Sequence, residues 1–382
     1  MRIAMITSDA SSMPNFRGPL IRYLRKRGHE VVAMAPDWTD ELRARTHAMG
    51  AQIMDISLDR AGLRPLRDLA DGWRLKKQLA ASNFDVVLSY FIKPAIFGSL
   101  AGRAAGIPRR IAMIEGLGYL FTEDDDSATL KRRILSAVAK MLFRVGLRAA
   151  DRVVFLNRDD TALFTELRLV EPAKIAMLGA IGVDLSQLKP TPAPVSPVTF
   201  LMMGRLLSQK GVREYVAAAR KVRAVHPQTR FVLLGDRDAN PTSVTLEELT
   251  EWVAEGVIEW PGRVDNVAEW VASTSVVVLP SYYREGVPRS TQEAAALGRA
   301  IITTDSVGCR ETVEEGRNGF LVPVRSSDAL AEAMLRFIKN PALITTMGEH
   351  SRELAEKRFD ADGWNHAMAK LLTSDYRNEA AE

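Results

Sequence analysis

The sequence predicts an α/β protein of two doubly wound, Rossmann-like domains. Short apolar runs alternate with helical segments through the first half of the chain, a proline-rich stretch follows, and the alternation then restarts. Such alternation favours a parallel sheet covered by helices on both faces. The length of 382 residues exceeds what one hydrophobic core usually organises, so we expect each half to bury its own core.

The predicted strands are twelve short apolar runs, six in each half. Those of the first half are residues 3–6, 31–34, 53–56, 86–89, 111–114 and 153–156. Those of the second half are residues 198–203, 231–234, 258–260, 276–279, 301–303 and 320–322. Ligands of doubly wound sheets bind outside the carboxyl ends of the strands, so the chemistry is expected in loops that directly follow strands and in a cleft between the domains.

Four prolines mark the predicted domain boundary. Pro190, Pro192, Pro194 and Pro197 make residues 189–197 a stiff linker that few contacts would cross. We therefore predict one domain over residues 1–188 and a second over residues 198–358. Residues 359–382 are predicted to form a C-terminal helix that packs back on the first domain.

Composition excludes several classes of protein. No window resembles the long uncharged run of a membrane-spanning helix, and the first residues lack the features of a signal peptide. Cys309 is the only cysteine, which excludes an intramolecular disulfide and fits a reducing cytoplasm. With 51 basic against 47 acidic residues the net charge is modest. We expect a cytoplasmic protein without a nucleic-acid partner.

A predicted helix over residues 131–152 combines a basic stripe with an apolar pattern. The basic residues Lys140, Arg144, Arg148 and Arg152 follow one another every four positions, and the apolar ones are Ile134, Val138, Met141, Leu142, Val145 and Ala149. A basic amphipathic helix can rest on an anionic membrane, which would place the protein peripherally on its inner face. An ordinary helix with a solvated outer face explains the pattern equally well, and both interpretations stay open.

The loop after the first strand of the second half is suited to an anion. Gly204, Arg205, Lys210 and Gly211 lie between a predicted strand and a helical pattern that begins near Val212. Such a loop offers close backbone approach, donors at a helix start and here two cations, which together would hold a diphosphate. The alternative is that both cations are ordinary solvated charges.

Two glutamates follow a later strand of the same half. Glu285 lies on a loop, and Glu293 lies in a helix-forming run that Pro288 precedes. In a helix-like path, positions eight residues apart lie on nearly the same side, so both carboxylates can face one ligand. A carboxylate accepts hydrogen bonds from two neighbouring hydroxyls, as a ribose or a hexose presents them. The alternative is a pair of structural or solvent-facing glutamates.

Together these residues resemble the retaining glycosyltransferases of the GT-B fold that carry the E-x7-E motif. The motif residues are Glu285 and Glu293. The 204–211 loop and the turns at residues 234–236 and 261–263 also match the family pattern. Residues 284–293, 303–311, 319–324, 90–98 and 115–121 are similar to a narrower bacterial group that adds hexoses or N-acetylhexosamines to lipid-linked diphosphate sugars.

The resemblance implies a role for each residue of the donor side. Glu293 would bind the ribose of a UDP-linked sugar, Glu285 would contact its sugar, and Arg205 and Lys210 would hold its diphosphate. Backbone groups of the loops would complete the site at Gly204, Gly286, Val287, Arg263 and Val264. The family implies retention by same-face attack, in which the leaving phosphate oxygen takes the acceptor proton. Because two cations neutralise the leaving group, no metal and no cofactor are expected.

The acceptor side departs from the wider family pattern. Many relatives carry a histidine where this chain has Glu115, which would orient the acceptor or act as a base, or else is a solvent-exposed loop glutamate. We also expect contacts to a lipid-linked diphosphate sugar from Asn15, Arg17, Gly18 and Lys93, although a surface lysine is the commoner outcome. The sequence 124–126, three aspartates, satisfies a metal-binding pattern but is better explained as a solvated charge run.

Three rival functions remain at this point. A nicotinamide-dependent oxidoreductase would use Asp37 to bind a ribose, but the glycine fingerprint after the first strand is missing. A nucleotide-sugar epimerase of the same fold would need acid and base groups, which the sparse histidines disfavour. A noncatalytic binding module would not need four ligand-type side chains on coordinated loops.

Overall fold

A computed structural model of the protein describes residues 1–58, 65–117, 130–237, 240 and 242–374. The chain divides into two units. The first comprises Met1–Ile181 and the chain from Ala361 onward, and the second comprises Gly182–Asp360.

The first unit is built on a seven-stranded parallel sheet with strand order β3-β2-β1-β4-β5-β6-β7. These strands are β1 (Arg2–Ile6), β2 (Glu30–Ala35), β3 (Gln52–Asp55), β4 (Val86–Tyr90), β5 (Arg109–Ile114), β6 (Arg152–Phe155) and β7 (Ile175–Met177). The central strands are buried on both faces, which explains their continuous apolar sequences. Phe143, Phe155 and Phe164 meet edge to face in the core of this unit.

Within the described part of this unit, seven α-helices surround the sheet. They are α1 (Gly18–Lys26), α2 (Asp40–Ala48), α3 (Pro65–Ala80), α4 (Ile92–Ala104), α5 (Leu130–Ala149), α6 (Arg158–Glu166) and α13 (Ala361–Thr373). The strand order turns back after β3, and right-handed crossovers therefore place α3, α4 and α5 on the face opposite α1 and α2. Within this unit α13 packs on α1, where the Tyr23 hydroxyl lies 2.9 Å from His366 Nδ1.

The second unit is built on a six-stranded parallel sheet with order β10-β9-β8-β11-β12-β13. Its strands are β8 (Thr199–Met203), β9 (Arg230–Leu234), β10 (Glu259–Gly262), β11 (Val276–Leu279), β12 (Ala300–Thr304) and β13 (Gly319–Val322). Its helices are α7 (Val212–Val225), α8 (Leu246–Ala254), α9 (Val267–Ala272), α10 (Arg289–Ala296), α11 (Ser327–Lys339) and α12 (Ala342–Arg358). Phe200 stacks on Phe231 in the hydrophobic core of the second unit. The predicted α/β class with two doubly wound sheets is confirmed.

All twelve predicted strands are present, and the short strand β7 was missed. Its three residues, Ile175, Ala176 and Met177, are apolar, but the run is short and lies at the edge of the sheet, where Met177 is exposed. Arg152 was wrongly assigned to the basic helix. The helix α5 ends at Ala149, and Arg152 opens β6, where it pairs in register with Ile111.

The observed boundary between the units differs from the predicted one at residue 188. Residues 182–188 lie with the second unit, where the Val183 amide donates to the Phe359 carbonyl at 2.8 Å. The proline-rich segment is also bound to this unit rather than free. The buried guanidinium of Arg299 donates to the Thr191 carbonyl at 2.7 Å, and burial lowers the pKa of Arg299 to about 10.

Candidate active site

A pocket of about 440 Å³ lies on the second unit, beyond the carboxyl ends of β8, β9 and β10. This is the edge where a doubly wound sheet binds its ligands. Five of the predicted site residues line it, namely Gly204, Arg205, Arg263, Val264 and Glu293. Lys210, Glu285, Gly286 and Val287 do not line this pocket and belong to the neighbouring loops.

Glu293 reaches the pocket from α10. The helix starts directly after Pro288, which has the extended conformation of a helix cap, so Glu293 lies in its second turn. Arg289 Nε donates to Glu293 Oε1 at 2.8 Å, one helical turn earlier. This contact orients the carboxylate, and the Glu293 side chain, which lines the pocket, remains 24% exposed.

The loop after β8 and the loop after β11 are held together by their backbones. The amides of Tyr282 and Tyr283 both donate to the Gln209 carbonyl at 2.9 Å. Gly211 has φ +81, and a Cβ atom there would lie 2.1 Å from the Pro280 carbonyl oxygen. Only glycine fits this conformation and this close approach, so Gly211 fixes the distance between the two loops.

Lys210 and Glu285 form an ion pair across these loops. Lys210 lies on a single 3₁₀ turn, Ser208–Lys210, and its ammonium contacts Glu285 Oε1. Ser281 Oγ donates to the same carboxylate oxygen at 3.1 Å, and both charged side chains are largely buried. The structure thus brings together one residue predicted to hold the diphosphate and one predicted to contact the sugar. Neither is the solvated surface charge that was the alternative.

Gly286 and Val287 are buried behind this ion pair. A Cβ atom at Gly308, which has φ +77, would lie 2.4 Å from the Gly286 carbonyl oxygen, so the two loops touch through their backbones. Cys309 follows and is fully buried, and burial together with the nearby Glu285 carboxylate raises the pKa of its thiol. We therefore interpret this cysteine as a structural residue, buried next to the loop that carries Glu285.

Several pocket residues were not predicted as site residues, although the turn 234–236 and the segment 284–293 belong to the family resemblance. Asp236, Arg237 and Ser290 line the pocket, and Asp236 and Arg237 follow β9 after Gly235. Gly235 lets β9 approach β8, because a Cβ atom there would lie 1.9 Å from the Gly204 carbonyl oxygen. The position after a strand was the signal that could have found Asp236 and Arg237; Ser290 has no such signal.

On the first unit the structure brings Arg17 and Glu115 together. Arg17 is fully buried, and its guanidinium forms an ion pair with Glu115 Oε1. The guanidinium carbon lies 4.4 Å from the centre of the Tyr90 ring and 5.6 Å from that of Trp364 on α13. The Glu115 side chain is 8% exposed, so it is not a solvent-exposed loop glutamate. Tyr90 and Trp364 complete a buried cluster that the sequence did not predict.

The other predicted acceptor residues are already engaged within the first unit. Lys93 is buried and its ammonium lies 2.7 Å from Asp68 Oδ1, so it is not a surface lysine. Arg45 Nη2 donates to Asn15 Oδ1 at 2.7 Å. Gly18 opens α1 close to Met49, whose sulfur would lie 2.8 Å from a Cβ atom at position 18. Acceptor binding by these residues stays a prediction.

The buried face of α5 differs from the apolar face predicted for this helix. Met141 and Val145 are 55% and 48% exposed, whereas Phe143 and Leu147 are buried. Arg144 and Arg148 lie on the exposed side, and with Arg168 they line a pocket of about 320 Å³. Within the described ranges no helix has the length and apolarity needed to cross a bilayer. The aspartates 124–126 lie outside the described residues.

Two family models match the chain one after the other. The model described as a glycosyl transferase 4-like domain matches residues 17–180, and the model described as glycosyl transferases group 1 matches residues 197–340. The first therefore covers most of the first sheet, and the second covers the pocket and both loops of the candidate site.

The chain is also similar to two bacterial glycosyltransferases, by the names given to them. It is 28% identical to the N,N'-diacetylbacillosaminyl-diphospho-undecaprenol alpha-1,3-N-acetylgalactosaminyltransferase of Campylobacter jejuni over 92% of this chain and 93% of the relative. It is 24% identical to the UDP-Gal:alpha-D-GlcNAc-diphosphoundecaprenol alpha-1,3-galactosyltransferase of Escherichia coli over 77% and 76% of the two chains.

A solved structure with the same architecture is that of Anabaena HepE in complex with UDP. The two chains superpose with a TM-score of 0.76 at 16% identity, over 98% of this chain and 99% of that one. This likeness confirms the GT-B fold that the sequence predicts.

Proposed function

Since this chain belongs to the glycosyltransferases, with a 4-like domain followed by a group 1 domain, we propose that it elongates a lipid-linked glycan. It would transfer a hexose or N-acetylhexosamine from a UDP-linked sugar to a lipid-linked diphosphate sugar during cell-surface polysaccharide or glycan assembly. The observation that carries this proposal is the pocket of the second unit, which Glu293 and Arg205 both line, next to the loops of the Lys210–Glu285 pair. Both relatives described above are named as transferases, which favours transfer over epimerisation.

The pocket is suited to the nucleotide part of the donor. Glu293 offers a carboxylate for the two ribose hydroxyls, and Arg263 and Val264 form the part of the wall where the base would lie. UDP is the proposed carrier because the name of the Escherichia coli relative specifies UDP-Gal and Anabaena HepE holds UDP.

The cations support departure of the diphosphate. In the proposed reaction the bond between the sugar C1 and the β-phosphate oxygen breaks, and a bond from C1 to the acceptor oxygen forms on the same face. The proton of the acceptor hydroxyl moves to the departing phosphate oxygen. Arg205 and Lys210 stabilise the charge that develops on the diphosphate, so the reaction proceeds without a metal ion.

The acceptor proposal rests on the relatives and on the first unit. Both relatives carry a diphospho-undecaprenol acceptor in their names. In the first unit Glu115 is fixed by Arg17 at the carboxyl end of β5, where it can orient an acceptor hydroxyl. Because Arg17 neutralises Glu115, we propose orientation rather than proton removal as its role.

A panel of nucleotide sugars tests the proposal. The purified protein should release UDP from one UDP-sugar only when a sugar-diphospho-undecaprenol acceptor is present, and NMR of the product should show the donor's anomeric configuration. Release without acceptor measures hydrolysis and is the control. Formation of an epimerised nucleotide sugar, or inversion at C1, would contradict the proposal.

The exposed side of α5 supports peripheral contact with an anionic membrane. Among its described side chains, half-buried Lys140 and exposed Arg144 and Arg148 are basic, and the sequence of α5 contains no acidic residue. Exposed Met141 and Val145 lie among them, so the face is both basic and apolar. This favours the membrane over the interpretation of a merely solvated face.

Charge reversal of the three cations by glutamate should release the protein from anionic vesicles. Each cation near an anionic surface contributes about 1 kcal/mol, so the partition coefficient is expected to fall at least about a hundredfold. Flotation with phosphatidylglycerol vesicles measures it. The matched control reverses Lys339, Lys357 and Lys370, three exposed lysines on other helices. Equal losses in both triple variants would refute a specific role of α5.

A further inference from the structure

We propose that α3 is a second membrane-docking helix, whose Leu69 and Trp73 enter the headgroup layer of an anionic bilayer beside the exposed face of α5. The docking face is defined as the exposed side chains of α3 and α5 on the first unit. This inference rests on the proposed lipid-linked acceptor, which requires the enzyme to work at a membrane surface.

The apolar part of α3 faces solvent. Leu69 is 65% exposed and Trp73 is 56% exposed, and the two lie one helical turn apart. Large apolar side chains this exposed at neighbouring positions form a patch rather than isolated surface residues. Met141 and Val145 repeat the same arrangement on α5, again four positions apart.

The charges of α3 are sorted by sign. Its two acids, Asp68 and Asp71, are buried, where Asp68 pairs with Lys93 and Asp71 accepts a hydrogen bond from Ser57. Its exposed charges are basic, and the Lys77 ammonium lies 3.5 Å from the centre of the Trp73 ring. The outward side of α3 therefore carries cations and apolar groups together, without an exposed acid.

Both helices flank α4 on the same face of the sheet. Gly146 of α5 packs so closely on α4 that a Cβ atom there would lie 2.7 Å from Ile96 Cα. Gly72 of α3 also lies close to α4, because a Cβ atom at position 72 would lie 3.4 Å from Cδ1 of Phe97. Because α4 lies between them and is largely buried, the exposed sides of α3 and α5 form one broad outer surface.

The chemistry of this surface matches an anionic bilayer rather than a protein partner. Tryptophan prefers the membrane interface, where its ring is buried and its N–H stays hydrated. Cations beside inserted apolar groups attract anionic headgroups. A protein partner of this surface would instead need acidic groups facing the cations.

The test removes the apolar groups and keeps the charges. A Leu69→Ala, Trp73→Ala variant should bind vesicles of phosphatidylcholine with phosphatidylglycerol about tenfold or more weakly than the unchanged protein. The control is Val225→Ala, Val253→Ala, which removes two exposed apolar side chains from the second unit and should not change binding. In addition, the blue shift of tryptophan fluorescence on vesicle binding should be lost in Trp73→Phe.

Two outcomes would overturn the inference. One is vesicle binding by the α3 variant that equals the binding of its control. The other is loss of self-association in the α3 variant with unchanged vesicle binding, which would identify a protein interface. An assay of sugar transfer to the lipid-linked acceptor in detergent micelles distinguishes this inference from the proposed function. We expect the α3 variant to transfer sugar normally in micelles. If the unchanged protein transfers no sugar there, the proposed function is refuted, whereas the vesicle-binding result still stands.

Discussion

Glu293→Ala is expected to lower kcat/KM for the donor about a hundredfold. The carboxylate would lose two hydrogen bonds to the ribose, and two charged hydrogen bonds at about 1.5 kcal/mol each correspond to that loss. The ribose is remote from the reacting bond, so the loss should fall mainly on KM. Steady-state kinetics with the identified UDP-sugar measure it, and direct UDP binding by calorimetry should weaken in parallel.

Glu356→Ala is the matched control for this change. Glu356 also pairs with an arginine one turn earlier on a helix, Arg352 at 2.7 Å, but it lies on α12 and does not line the pocket. The control should keep kcat/KM and UDP affinity. An equal effect of both substitutions would mean that Glu293 acts through helix stability and not through the ribose.

Lys210→Met is expected to lower kcat about a hundredfold to a thousandfold. Losing one preorganised group that stabilises transition-state charge commonly costs this much. Because the charge on the leaving diphosphate develops in the transition state, the loss should fall on kcat. Single-turnover measurement of transfer isolates that step from product release.

The ion pair also predicts a change in stability, which separates structure from catalysis. Lys210→Met leaves the largely buried Glu285 without its ammonium, and breaking such a pair costs about 3 kcal/mol of unfolding free energy. The double variant Lys210→Met, Glu285→Gln removes both charges and should regain most of that stability while transfer stays lost. Recovery of transfer together with stability would show that the pair is structural. Lys221→Met, at an exposed pair with Asp328, is the control.

Much of the donor site could be predicted because the pattern of apolar runs in the sequence indicates where the strands end. Gly204, Arg205, Arg263 and Glu293 follow strands or lie in a helix-forming run, and parallel strands bring their carboxyl ends to one edge. The ion pair of Lys210 with Glu285 was not predicted, since it depends on contacts between loops 75 residues apart in the chain.

On the first unit the sequence was less informative. It identifies Arg17 and Glu115 separately, and it does not decide whether Glu115 acts on the acceptor or is a solvent-exposed loop glutamate. Burial of their ion pair against Tyr90 and Trp364 arises because the chain returns from the second unit and places α13 in the first. No local pattern near position 17 reports a contact with position 364.

The helix α5 shows the same limit. Its period was readable, but of the apolar residues counted toward its face, Met141 and Val145 are exposed. Helical spacing identifies which residues share a side, whereas the tight contact of Gly146 with α4 decides which side is buried.

By itself the sequence determined the two parallel sheets, the loops that carry the donor site and the cations and carboxylates in them, because these follow from local periodicity and from chain order. Tertiary structure alone decided which charges are paired, that the proline-rich segment is bound by Arg299, and which faces of α3 and α5 remain exposed. Those properties depend on long-range packing, in which each side chain's burial and partners are set by residues distant in the chain.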